Sequence, residues 1–225
     1  AQGGCDSIDQ RHAMTTVLVD YDSGNLHSAQ KAFERMAVEG NAGAVIVTSD
    51  PDVVAKADRI VLPGDGAFPH CKNELFSRTA LAEAIIDSVT KRAVPFMGIC
   101  VGMQMLATTG HEYEETAGFG WIAGDIRKIT PADPALKVPH MGWNDLIIDT
   151  PHPVLAGIET GEHAYFVHSY AMDVANPAER LAHVDYAGDI TAIVGRDNII
   201  GMQFHPEKSQ DAGLRMIGNF LRWKP

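Results

Sequence analysis

PFMGICVGMQML (residues 95–106) sets an apolar strand pattern, entered through Pro95, directly against a helical one. At the join, Gly98, Cys100 and Gly102 form a Gly-Xaa-Cys-Xaa-Gly pattern. This is the context of a nucleophile elbow, a strand-to-helix turn so sharp that its central residue sits in strained backbone and neighbours bearing a Cβ would collide with it. A thiol at such a helix start feels the positive end of the helix dipole, which favours the reactive thiolate. The main-chain NH of Val101 would point at a developing oxyanion. The competing reading of Cys100 is a small buried apolar residue at a strand end.

Working outward, strand and helix patterns alternate. TVLVD (16–20), AVIVTS (44–49), RIVLPG (59–64) and VPFMGI (94–99) read as buried strands. Between them, LHSAQKAFERM (26–36), which follows a Ser-Gly-Asn turn, and DPDVVAKA (50–57) read as helices, as does the stretch where Leu81, Ile85, Ile86 and Val89 recur at helical spacing. Short connections between alternating strands and helices predict a parallel sheet covered on both faces. After residue 117 the segments are strand-like: WIAGDIRKI (121–129), NDLIID (144–149), AYFVHSYAM (164–172) and TAIVGRDNIIGMQF (191–204), the last folded at Arg-Asp-Asn. DAGLRMIGNFLRW (211–223) closes the chain as a helix with Leu214, Ile217 and Leu221 on one stripe. The expected fold is one α/β domain over residues 14–225, a mostly parallel central sheet flanked by helices with extra antiparallel strands. Residues 1–13 carry neither apolar period and read as a leader or disordered extension.

Composition bounds the function. The 225 residues carry a formal charge of -11, which gives no positive field for nucleic acid. No apolar run approaches the ~18 residues of a membrane span, and no basic-then-apolar leader is present, so a cytoplasmic protein without membrane contact is expected. Cys5, Cys71 and Cys100 form no CxxC pair, and HEYEE (111–115) lacks a ligand spacing, so neither metal nor cofactor is expected. Cys71 lacks any catalytic context and reads as structural.

A nucleophilic thiol needs a base. His205 lies in QFHPE at the end of an apolar run, and Pro206 biases it toward extended backbone, in which residues two apart face the same way. That spacing lets Glu207 orient the imidazole, completing a Cys-His-acid triad; the alternative is a strand-end His beside a solvated Glu. PGDGAF (63–68) follows a strand, and its glycine-rich turn at Gly64 and Asp65 can offer a second NH to an oxyanion hole.

GICVGMQ followed by QFHPE resembles the class I (triad) glutamine amidotransferases. The resemblance implies that Cys100 attacks the side-chain amide of L-glutamine, with His205 as base and then acid and Glu207 orienting it, giving glutamate and ammonia through a glutamyl thioester. VDYDSGNL (19–26), PHMGWN (139–144), YFVHSY (165–170), HPEKSQ (205–210) and GLRMIGNFLRW (213–223) are similar to one branch of that family, and the likeness runs from about Met14 to Trp223. Members of that branch pass ammonia to a cyclase partner built as a (β/α)8 barrel and joined to them in a heterodimer, which makes imidazole glycerol phosphate and AICAR in histidine biosynthesis. Carried across, the resemblance puts Gly66, Gln104, Glu112, His168, Ser169 and Tyr170 around the bound glutamine. It puts Asn25, Met141, Trp143, Tyr165 and Lys208 at the contact with the cyclase. Two positions depart from the family pattern, Asp22 where Gly is usual and Asp65 where Val is usual.

The rival readings are a glutaminase subunit of another synthase, such as anthranilate or aminodeoxychorismate synthase, and a stand-alone α/β thiol hydrolase. Neither needs both the HMGWN segment and the KSQ extension.

Overall fold

The computed structural model describes residues 14–22 and 26–225. Residues 1–13 with Cys5, where a leader or disordered extension is expected, and the Ser-Gly-Asn segment with Asn25 lie outside the described residues. The first half of the chain runs β1 (Thr15–Val19), α1 (Leu26–Glu39), β2 (Ala44–Thr48), α2 (Pro51–Val54), β3 (Arg59–Gly64), α3 (Phe68–Ser77), α4 (Thr79–Thr90), β4 (Phe96–Cys100) and α5 (Val101–Gln104). The second half is richer in strands: β5 (Thr109–Glu112), β6 (Glu114–Ala117), β7 (Gly124–Lys128), β8 (His140–Asp145), β9 (Ile147–Ile148), β10 (His163–His168), β11 (Tyr170–Val174), β12 (Arg180–Asp185), β13 (Asp189–Arg196), β14 (Ile199–Met202) and then α6 (Gln210–Arg222).

Eight strands form the central sheet in the order β2-β1-β3-β4-β14-β13-β12-β9. The ladders from β2 to β14 are parallel and those from β14 to β9 antiparallel. Every residue of β3 and β4 is buried, as expected of central strands covered on both faces. Right-handed crossovers put α1 on one face and α2 and α4 on the other. The α1 stripe of Ala29, Ala32, Phe33 and Ala37 is buried, and Phe33 meets Phe220 of α6 edge-on at 6.4 Å. On the opposite side α4 buries Leu81, Ala82, Ile85 and Val89, while Ile86 is only half-buried. The Arg-Asp-Asn hairpin joins β13 to β14, with Asp197 in positive φ.

Several boundaries differ from those the sequence patterns predict, three of them in the following ways. AYFVHSYAM is not one strand: it breaks at Ser169, sending β10 to pair with β8 and β11 to pair with β7 in a separate four-stranded sheet, β11-β7-β5-β6. The NDLIID segment divides at Leu146, and its strand begins earlier, at His140. The glycine-rich turn ends sooner than its composition suggests, because α3 starts at Phe68 with Pro69 in its first turn and buries Phe68, Cys71 and Leu75. No helix among the described residues is long and apolar enough to cross a membrane.

Candidate active site

Cys100 is the last residue of β4 and adopts φ 56° and ψ -114°, backbone that an L-residue occupies only when its surroundings over-determine it. The surroundings are three glycines. A Cβ on Gly102 would lie 1.8 Å from the main-chain oxygen of Leu62, one on Gly98 would lie 2.5 Å from that of Gly102, and one on Gly64 would lie 2.7 Å from the Gly102 nitrogen. The β3 and β4 backbones therefore approach the elbow more closely than side chains allow, and Gly64 pairs with Cys100 in the ladder. The helix that follows is a single turn of four residues, so the dipole expected from the sequence is replaced by the local NH groups of one turn.

His205 follows β14 in extended backbone, and its main-chain NH donates to the Tyr165 oxygen at 3.2 Å. Strand alternation would bring Glu207 to it, whereas Pro206–Lys208 is a 3-10 turn. Pro206 starts that turn, which carries the carboxylate back so that Glu207 Oε1 lies 2.9 Å from His205 Nδ1. Both side chains are buried, and burial by itself pushes the imidazole pKa down. Hydrogen bonds to Cys100 and Glu207, and the charges of the same two residues, outweigh that and raise it to about 10. At neutral pH His205 therefore holds its proton between the sulfur and the carboxylate.

Ser209 locks this arrangement. Its hydroxyl donates to the His205 oxygen at 2.7 Å and accepts the Tyr165 NH at 3.0 Å, joining the triad turn to β10.

A cleft of about 260 Å³ opens at Cys100, lined by Asp65, Gly66, Val101, Gln104, Glu112 and the His168–Tyr170 segment among others. All six residues that the family resemblance puts around glutamine thus line one cleft with the thiol. Some are also held by the protein: Glu112 Oε2 accepts the Phe68 NH at 2.8 Å, and Gln104 Nε2 donates to the Tyr170 oxygen at 3.0 Å. The turn before α3 is anchored from below, where Cys71 Sγ donates to the Asp65 oxygen at 3.3 Å and the Tyr21 hydroxyl donates to the Pro63 oxygen at 2.8 Å. The Asp65 side chain is exposed, so the carboxylate is accommodated without burial. Asp22, in positive φ, pairs with Arg78 at the α3–α4 junction.

Beside the cleft runs a pair that the sequence patterns do not reveal. His140 Nδ1 lies 2.9 Å from His168 Nε2, and His168 Nδ1 lies 2.8 Å from the Tyr170 oxygen. Burial lowers both imidazoles to about 4, so both are neutral near pH 7. Because a carbonyl only accepts, His168 carries its proton on Nδ1, and His140 donates to the bare Nε2. Gln203 is a second such residue, two positions before His205 in QFHPE; its place in that motif is the available signal.

On the outer face of the small β8-β10 sheet, Met141 is 62% and Trp143 49% exposed, and the Trp143 ring meets Tyr165 at 5.7 Å. Lys208 is exposed on the turn that carries Glu207.

The sequence pattern of the family Glutamine amidotransferase class-I matches residues 17–223, and the chain belongs to that family. Two solved structures share its fold. One, of a glutamine amidotransferase, has a TM-score of 0.69 at 17% identity, covering 92% of this chain and 99% of that one. The other, the glutaminase domain of a CTPS from Trypanosoma brucei, has a TM-score of 0.64 at 15% identity, covering 94% of this chain and 95% of that one. Closer in sequence are proteins named imidazole glycerol phosphate synthase subunit HisH. That of Cereibacter sphaeroides is 70% identical over 212 residues, 94% of this chain and 100% of the relative. The Ruegeria pomeroyi protein is 65% identical with the same coverage of 94% and 100%. At those identities the chain belongs with the HisH subunits within its class.

Proposed function

We propose that this chain is the glutaminase subunit of an imidazole glycerol phosphate synthase, releasing ammonia from L-glutamine for a cyclase subunit. The observation that carries the reading is the hydrogen-bonded Cys100-His205-Glu207 set, whose Cys100 lines a cleft sized for a small amino acid. The Cys100 sulfur adds to the glutamine amide carbon, and the protonated His205 hands its proton to the departing nitrogen, which leaves as ammonia. Water then attacks the thioester with neutral His205 taking its proton. The C–S bond breaks, and glutamate and the thiol are released. Glu207 holds Nδ1 throughout, so that Nε2 faces the sulfur.

The oxyanion of each tetrahedral intermediate takes the Val101 NH and a second NH from the Gly64–Asp65 peptide. The Cys71 bond holds the Asp65 carbonyl, so rearrangement is confined to the peptide between Gly64 and Asp65. A hole completed only when the cyclase binds its nucleotide ligand prevents wasteful hydrolysis, since ammonia released into water at neutral pH is protonated and no longer a nucleophile.

Met141, Trp143, Tyr165 and Lys208 form the docking face for the cyclase, a (β/α)8 barrel joined to this chain as a heterodimer. One residue of this face, Tyr165, lies on β10, the strand that supports His205.

Glutamine hydrolysis is measured for the chain alone, with the cyclase, and with the cyclase plus its nucleotide ligand. Weak activity alone and strong stimulation by the complete set are expected. Equal turnover in all three would indicate a stand-alone hydrolase, and activity surviving in Cys100→Ala would remove the nucleophile.

A further inference from the structure

Gln203 is fully buried, and its side-chain nitrogen lies 3.9 Å from Cys100 Sγ. The direction of that amide follows from its neighbours. The Tyr170 main-chain oxygen can only accept, so the Gln104 atom 3.0 Å from it is the amino nitrogen. The same nitrogen lies 3.0 Å from the terminal atom of Gln203, which is therefore the oxygen. Only the amino group of Gln203 is left to face the sulfur.

We propose that Gln203 is a further residue of the reaction, a permanent N–H donor to the Cys100 sulfur, aimed by Gln104 and the Tyr170 carbonyl. The inference rests on the reading of Cys100 as the nucleophile. His205 and Gln203 both face the sulfur, but they differ in one chemical respect. The imidazolium surrenders its proton when ammonia leaves, whereas an amide cannot surrender its own. When the thioester is hydrolysed and sulfur must depart with the electron pair of the C–S bond, Gln203 still offers a hydrogen bond to the developing thiolate. A donor to a charged acceptor is worth more than one to a neutral group, so the bond tightens as charge appears on sulfur. Gln104 then has two duties: it lines the cleft and holds the donor that serves the nucleophile.

The test compares wild type with Gln203→Met, which keeps the length and removes the donor, and Gln203→Glu, which keeps the shape and adds a carboxylate. Alkylation of Cys100 by iodoacetamide is followed against pH on the full chain, read by mass spectrometry of the Cys100 peptide. Glutamine kinetics are measured with the cyclase present. In Gln203→Met the alkylation midpoint is expected to rise by roughly one pH unit, with kcat falling about tenfold and KM holding. Gln203→Glu should move the midpoint further in the same direction, because like charges repel. Midpoints that match wild type in the variants overturn the proposal, as does a change confined to KM. A lower melting temperature with an unmoved midpoint makes Gln203 a packing residue and overturns it equally. If Gln203→Met does not fold, the near-isosteric Gln203→Glu carries the comparison. Absence of glutaminase activity in the wild-type complex would defeat the functional reading instead, and the alkylation midpoints would still decide whether Gln203 serves the sulfur.

Discussion

His140 and His168 face each other across the β8-β10 ladder and share a hydrogen bond of 2.9 Å. Burial holds both near 4, below the ordinary 6.5, so the unfolded chain takes up protons first as pH falls. Their contribution to stability is whole above 6.5 and declines as pH drops toward 4. The slope is at most roughly 1.4 kcal/mol per pH unit for each group. His205 runs the other way: raised to about 10, it favours the fold below 6.5 and loses that contribution as pH rises toward 10. Urea unfolding across this range should show a maximum between the two limbs. His140→Gln should flatten the acid limb by one proton's share, and an unchanged slope would refute the assignment.

Glu207→Gln keeps the shape of the side chain but removes the charge beside His205 Nδ1, one of the causes that raise the imidazole pKa. Glutamine turnover with the cyclase should fall by about 100-fold or more, the scale of a positioned acid-base group. The melting temperature should fall as well, because a buried imidazolium loses its paired charge, and a near-normal rate would show that the carboxylate does not orient the base.

Two hydrogen bonds, one buried and one partly buried, meet at the Ser209 hydroxyl. Ser209→Ala leaves the Tyr165 NH without its acceptor and should cost roughly 1–3 kcal/mol in chemical denaturation. Because the His205 oxygen at the same time keeps only the Lys208 NH of its two donors, turnover should drop along with stability. Retention of both would show that the turn is held by other contacts.

At the elbow Gly102 is required by space, whereas in the loop before α3 Gly66 is required by backbone angle. Gly102→Ala drives a methyl into the Leu62 carbonyl, so backbone must move, at a cost of roughly 2–3 kcal/mol and with the elbow lost. Gly66→Ala meets nothing within 4 Å and suffers only from its φ of +108°, a penalty of about 1 kcal/mol. Urea midpoints for the two variants should fall in that order; the reverse order would contradict the geometry.

Trp143→Ala removes a half-exposed ring from the outer sheet face. Stability of the isolated chain should stay within about 0.5 kcal/mol, while stimulation by the cyclase is lost or much reduced. Full stimulation would move the docking face elsewhere.

How much of this is legible in the sequence differs from element to element. Gly98, Cys100 and Gly102 announce the elbow because the constraint acts over a few residues, and the β1 to β4 alternation shows in runs of buried apolar residues. His205 and Glu207 are legible as a pair, but not the route by which they meet, since an extended pattern and a 3-10 turn both bring residues two apart together. The break at Ser169 is hidden because AYFVHSYAM is apolar on both sides of it, and only pairing partners decide where a strand changes sheet.

Local sequence alone determined the class of fold and singled out Cys100 and His205 as candidates, because steric demands and apolar periodicity act between near neighbours. Tertiary structure alone decided that Gln203 aims its amide at a sulfur 103 positions earlier in the chain, that Glu112 caps the start of α3, and that the Tyr170 oxygen fixes the tautomer of His168. Such contacts depend on strand register and on the meeting of distant loops, and hydrogen-bond direction is settled only once each donor has found its acceptor.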